Sequence, residues 1–180
     1  MVLGRQQLFT ENTLTVILPV LHRKSWTSLK LMLRLWGVVL VANVIGTLLY
    51  AAVAAHTETF LHEARQAFGE IGQHAAEPGF WVTLLRAIVA GLLIALMVWL
   101  LPEAGAASPF VMVAITYVVG LAELAHVIAG STEVSYAAFT GLVTWSEFAF
   151  AFFVPALLGN IIGGVALVAV LNHGQVQDSS

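Results

Sequence analysis

The 180-residue chain contains no cysteine, which rules out a disulfide framework, a thiolate metal site and a cysteine nucleophile. Charge is nearly as scarce. Asp, Glu, Lys and Arg make up 9% of the residues, against about 25% in a soluble domain, too few for a surface that faces water all round. The net charge of -3 is too small to point to a polyanion, so no nucleic-acid partner is expected. Also missing are an HExxH zinc box, a GxSxG elbow, a P-loop and a dinucleotide fingerprint. Nothing supports an enzyme, and neither a metal nor a cofactor is expected. What remains is 59% hydrophobic, with a mean hydropathy of +0.92. That composition describes an integral, all-α, polytopic membrane protein whose partner is the lipid bilayer.

Four apolar stretches, 31–55, 80–101, 109–129 and 148–171, are long enough to cross a bilayer, which takes about 20 residues. Two shorter ones, 8–20 and 134–145, read as half-helices. Each starts at a polar, small-residue break: Phe9-Thr10-Glu11-Asn12-Thr13 for the first and Gly130-Ser131-Thr132-Glu133 for the second. Irregular backbone at membrane depth is tolerated only where protein or a wet cavity satisfies it. The expected architecture is therefore four full transmembrane helices plus two half-helices; ordinary interfacial loops are the plainer alternative for the breaks.

An internal repeat organises these segments. Residues 40–56, LVANVIGTLLYAAVAAH, overlay residues 157–173, LLGNIIGGVALVAVLNH, at a constant offset of 117, with seven of seventeen positions identical. Asn43 and Gly46 thereby match Asn160 and Gly163. Repeats of this kind mark transporter and channel folds. Arg23, Lys24, Lys30 and Arg34, four of the seven basic residues, cluster at one membrane face, which the positive-inside rule makes cytoplasmic. Threading the spans from there reverses the second copy, giving an aquaporin-like inverted repeat with broken helices. The expected divisions are an incomplete first repeat over 1–56, an extracytoplasmic connection over 57–79, a complete second repeat over 80–173 and a cytoplasmic tail over 174–180. About fifty residues precede the second break within its repeat, but only Met1 to Leu8 precede the first. This mismatch leads to the expectation of an N-terminally truncated chain.

Ionisable residues inside membrane segments default to a functional reading. His126 lies on the apolar stretch 109–129, with Glu123 one helical turn behind it. A histidine there can donate a hydrogen bond to a passing anion or exchange a proton with it; a His126/Glu123 pair that only locks the helix is equally compatible. Leu8 and Phe9 suit an apolar constriction and Thr10 offers a hydroxyl, although simple packing accounts for them as well. Arg86 either snorkels to the interface or lends positive potential to a vestibule. Asn43 and Asn160 suit hydrogen bonds across helices or to broken backbone. The pairs Ala42/Gly46 and Gly159/Gly163 suit close helix packing. Trp26, Trp81, Trp99 and Trp145 fall near predicted helix ends and fit interfacial anchors.

Three stretches resemble the formate/nitrite transporter family: Leu8-Phe9-Thr10-Glu11-Asn12-Thr13-Leu14, Leu124-Ala125-His126-Val127-Ile128-Ala129-Gly130, and the VPALLGNIIGG run over 154–164. The resemblance implies a six-helix fold when complete, assembled as a homopentamer in the inner (plasma) membrane. It implies passage of a small monovalent anion, or its neutral acid, along each protomer's axis. It assigns the pore roles to His126 and Thr10, with Leu8 and Phe9 as constriction residues. Three positions depart from the family pattern. Ala125 stands where a glutamate usually precedes the histidine, Gly79 near a vestibule lysine, and Ala95 at a pore-facing asparagine. Glu123 and Arg86 are the groups available to compensate. The pattern is closer to the divergent YfdC-like branch. Two other readings stay open: a transport-incompetent or purely structural membrane subunit, and an aquaporin-like pore for neutral solutes, which the absence of Asn-Pro-Ala boxes disfavours.

Overall fold

The computed structural model describes residues 8–23 and 25–177. Residues 1–7 of the first repeat, Lys24 of the basic cluster and residues 178–180 of the expected tail lie outside them. The described chain is helical in the order α1 (Phe9–Arg23), α2 (Trp26–His56), α3 (His62–Ala76), α4 (Gly79–Ala104), α5 (Ser108–Leu121), α6 (Val127–Phe139), α7 (Trp145–Glu147) and α8 (Val154–Gln177). A π-helical turn, Phe148–Phe153, joins α7 to α8.

Helix length decides which elements can cross a bilayer. At 1.5 Å per residue, the 31 residues of α2 and the 26 of α4 reach about 46 and 39 Å, beyond the roughly 30 Å of hydrocarbon. Among the described residues, three stretches qualify by length and apolarity: Trp26–His56, Gly79–Leu121 and Trp145–Leu167. The helices α1, α5 and α6, with 15, 14 and 13 residues, reach only about 20 Å. The expectation of four full spans is corrected to three, because the stretch 109–129 is not one helix.

That stretch breaks at Leu121. Leu124 N–H bonds to Val119 O and Glu123 N–H to Gly120 O, the two crossed bonds of a Schellman motif. Glu123 holds the left-handed position with φ +50°, where glycine is usual. The break thus covers residues 122–126, not Gly130 to Glu133, which lie inside α6. The expected half-helix 134–145 starts seven residues too late. Similarly, the expected break over residues 9–13 is the opening turn of α1. The connection 57–79 carries an element that was not foreseen: the buried Gly69, Gly72 and Ala76 form a small-residue stripe along which α3 docks on α6, and Tyr136 Oη donates to Arg65 O at 3.1 Å.

Small residues bring α4 and α8 together. A Cβ added to Gly163 would collide with Ile88 O, and one on Gly159 would meet Leu84 O at 2.6 Å. Facing them are the buried Ala87, Ala90, Gly91 and Ala95. Outward faces stay apolar and exposed, as with Leu49 on α2, Leu85 on α4 and Val113 on α5. In water that would be a liability; against lipid it is the required surface.

Candidate functional site

Two helices begin in the interior, and each is capped by the repeated asparagine. The Phe9 N–H that opens α1 donates to Asn43 Oδ1 at 2.9 Å. The Val127 N–H that opens α6 donates to Asn160 Oδ1 at 2.9 Å. An interior helix start leaves orphan N–H groups with no water to satisfy them; the asparagine amide is the remedy, and its recurrence at a fixed offset reflects that shared need. Asn160, fully buried, does more. Its Oδ1 also accepts from Thr10 Oγ1 at 3.1 Å, and its Nδ2 donates to Ala87 O and Ala125 O, both at 2.9 Å. One amide therefore ties α1, α4, α8 and the break before α6 into a single junction.

His126 is the N-cap of α6. Its Nδ1 accepts from Ala129 N–H at 3.3 Å, so in the neutral ring the proton sits on Nε2, free to donate elsewhere. The imidazole lines a cavity of about 690 Å³. Side-chain exposure grades that cavity from deep to open. Glu11, Thr83, Ala125 and Phe152, all on its wall, are 4%, 1%, 8% and 2% exposed. At the other end Glu123 and His74 are more than half exposed. The open end is charged: Glu123 Oε2 meets Arg86 Nη1 and His74 Nε2, each at 3.3 Å, and His74 Nδ1 meets Glu77 Oε2 at 3.3 Å.

Of the expected pore residues, Leu8 and His126 line this cavity, and Phe9 and Thr10 are absent from its wall. Phe9 is buried with its ring edge-on to Trp36, centroids 5.9 Å apart. The Thr10 hydroxyl is committed to Asn160. Glu123 does not sit a turn behind His126 on one helix; it occupies the break and pairs with Arg86 and His74. Arg86 accordingly faces the cavity mouth in an ion pair. Gly159 and Gly163 pack on α4, whereas Ala42 and Gly46 are exposed and a Cβ on Gly46 would meet nothing within 4 Å. Among the wall residues that sequence reasoning did not single out are Glu11, Thr83 and Phe152 in the depth of the cavity and His74 at its mouth. The Phe152 ring lies directly on Gly130, and only that glycine, mistaken for a break residue, hinted at the contact.

The sequence profile described as formate/nitrite transporter matches residues 1–174. Over 98% of its length the chain is 40% identical to the inner membrane protein YfdC of Escherichia coli, covering 57% of that protein. It is 29% identical over 94% of its length to the uncharacterized transporter YrhG of Bacillus subtilis, covering 64% of it. A third relative, the formate-nitrite transporter of Plasmodium knowlesi, is 28% identical over 90% of the chain and is covered over 54% of its own length. The chain thus spans between about half and two thirds of the relatives it matches. No solved structure matches it. The interior helix starts capped by a repeated asparagine sit within a family match over nearly all of the sequence, and the chain belongs to the formate/nitrite transporter family.

Proposed function

We propose that the protein conducts small monovalent anions of the formate or nitrite type, or their neutral acids, past His126. The observation that carries this reading is the placement of an imidazole at the interior N-terminus of α6, on the wall of the 690 Å³ cavity. A helix N-terminus presents the positive end of its dipole, and the Nε2–H adds a directed donor. Stripping water from a bare anion is expensive, so a donor beside an apolar wall of Leu8 and Phe152 meets the permeant where its hydration is lost. Arg86, paired with Glu123, stands at the charged mouth. Phe9, Thr10 and the two asparagines keep the junction rigid behind that wall.

By the same reading the chain lies in the inner membrane with its C-terminus cytoplasmic, since the basic residues flanking the start of α2 favour that face and four crossings follow: α2, α4, the pair α5 and α6 taken together, and α8. The exposed apolar faces are extensive enough to serve both lipid and neighbouring copies in a homo-oligomer, a pentamer by family likeness. The test is flux of formate and nitrite into liposomes holding the full-length protein. His126→Phe, which keeps a planar aromatic ring and removes both nitrogens, is expected to abolish flux or change which solute passes. Unaltered flux in that variant sinks the assigned role, and no flux of either solute by the wild type at any pH sinks the transport reading.

A further inference from the structure

Two polar atoms on the cavity wall have no hydrogen-bond partner among the described residues: Glu11 Oε2, from α1, and Thr83 Oγ1, from α4. Both side chains are at least 96% buried, Glu11 being 4% and Thr83 1% exposed, and both line the same cavity as His126. A buried polar group left unpaired is costly, and native structures keep few of them. Two on one wall mark the place of a polar guest.

The chemistry of Glu11 restricts that guest. A small anion offers acceptors only, so it can approach an ionised carboxylate only against like-charge repulsion. It can lie beside a protonated carboxyl, which donates to it. Among the described residues, no basic side chain on the cavity wall is free to neutralise Glu11 instead. The ionisable groups on the cavity wall are His126 and Glu133 of α6 or its cap, Arg86 of α4, Glu123 of the break, and His74 and Glu70 of α3. Arg86 is taken by Glu123. The described side chains of α8 include no ionisable group, and Lys30 and Arg34 of α2 are not on the wall.

We propose that Glu11 is the proton carrier of this path, so that the species crossing the buried stretch is the neutral weak acid. This rests on the transport reading above. In the step, the Glu11 O–H bond breaks and an O–H bond forms on an oxygen of the permeant anion. The acid moves on, and Glu11 recovers a proton from a water molecule of the cavity, the hydroxide left behind passing out through the open mouth. The Thr83 hydroxyl orients the permeant during the exchange. Anions of strong acids cannot take the proton and are refused.

The experiment is uptake of formate, nitrite and chloride by liposomes containing the full-length protein across a range of external pH. The wild type is expected to pass the two weak-acid anions faster as pH falls and to exclude chloride. Glu11→Gln keeps the shape but cannot release a proton. Its flux should fall about a hundredfold, the scale of a positioned proton transfer, and lose its pH dependence. Formate flux in Glu11→Gln equal to the wild type in rate and pH profile overturns the role of Glu11 alone, as does chloride flux in the wild type at the formate rate. Absence of any weak-acid flux in the wild type overturns the underlying transport reading instead. Infrared difference spectra of the unmodified protein read the carboxyls of the wall directly. A protonated-carboxyl band that shifts when formate is added is expected, and loss of the band in Glu11→Gln assigns it to Glu11; a spectrum without one also overturns the proposal.

Discussion

At the scale of single residues, the two asparagines are copies in sequence but unequal in structure. Asn43 is half-buried and holds one helix start through one hydrogen bond. Asn160 is fully buried and makes four bonds to three parts of the fold. Replacing Asn160 by Ala leaves the Val127 N–H and the Ala125 carbonyl unpaired in a dry break. It should cost about 3 kcal/mol or more, against about 1 kcal/mol for Asn43→Ala; thermal unfolding of the two variants in detergent measures the difference. That both asparagines matter was legible, because identity at a fixed offset inside an apolar stretch is conspicuous. Glu11 was not legible as anything beyond a motif letter. An acid in a short polar stretch reads the same whether it faces water, a partner or a cavity, and only three-dimensional burial tells these apart.

Among the elements, the position of the second break shows where sequence signals mislead. Gly130-Ser131-Thr132-Glu133 has the composition of a loop, yet it is helical, because Gly130 makes room for the Phe152 ring and Ser131 is buried. Ala122-Glu123-Leu124-Ala125 has the composition of a helix, yet it is the break. The cause is tertiary: Asn160 captures both the Ala125 carbonyl and the Val127 N–H, and the chain reaches that geometry with a glutamate in a left-handed position that glycine would signal openly. Gly120 was the nearest such signal, three residues early. The α4–α8 contact was legible from its small residues and is also the most intolerant of volume. Gly163→Ala should cost about 1–3 kcal/mol, the range for overpacking, because its new methyl meets the backbone of Ile88 rather than a movable side chain. Denaturation midpoints compared with those of an alanine substitution at an exposed α2 position would check this.

For the molecule as a whole, the bilayer sets the frame. Trp26 and Trp81 are 70% and 74% exposed and Trp145 is 47% exposed, all at the starts of helices, as aromatic anchors at the headgroup level require. In lipid vesicles, quenchers placed near the headgroups should reduce the fluorescence of single-tryptophan variants at these positions more than quenchers near the bilayer centre; the reverse order would remove the anchor assignment. Trp99 is only partly exposed and packs beside Ala95 and Val98, so it should respond less to either. The long helices set the outer dimensions, while the short ones end within them and leave the cavity that reaches His126. On the proposed transport reading, water entering that cavity from its open end carries the electrical potential of that face inward to the imidazole. The transmembrane voltage then falls across the thinner remainder, at about 2.3 kcal/mol per elementary charge for each 100 mV. A solute that crosses this remainder as an anion is driven or stopped by that field, and one that crosses as a neutral acid is indifferent to it.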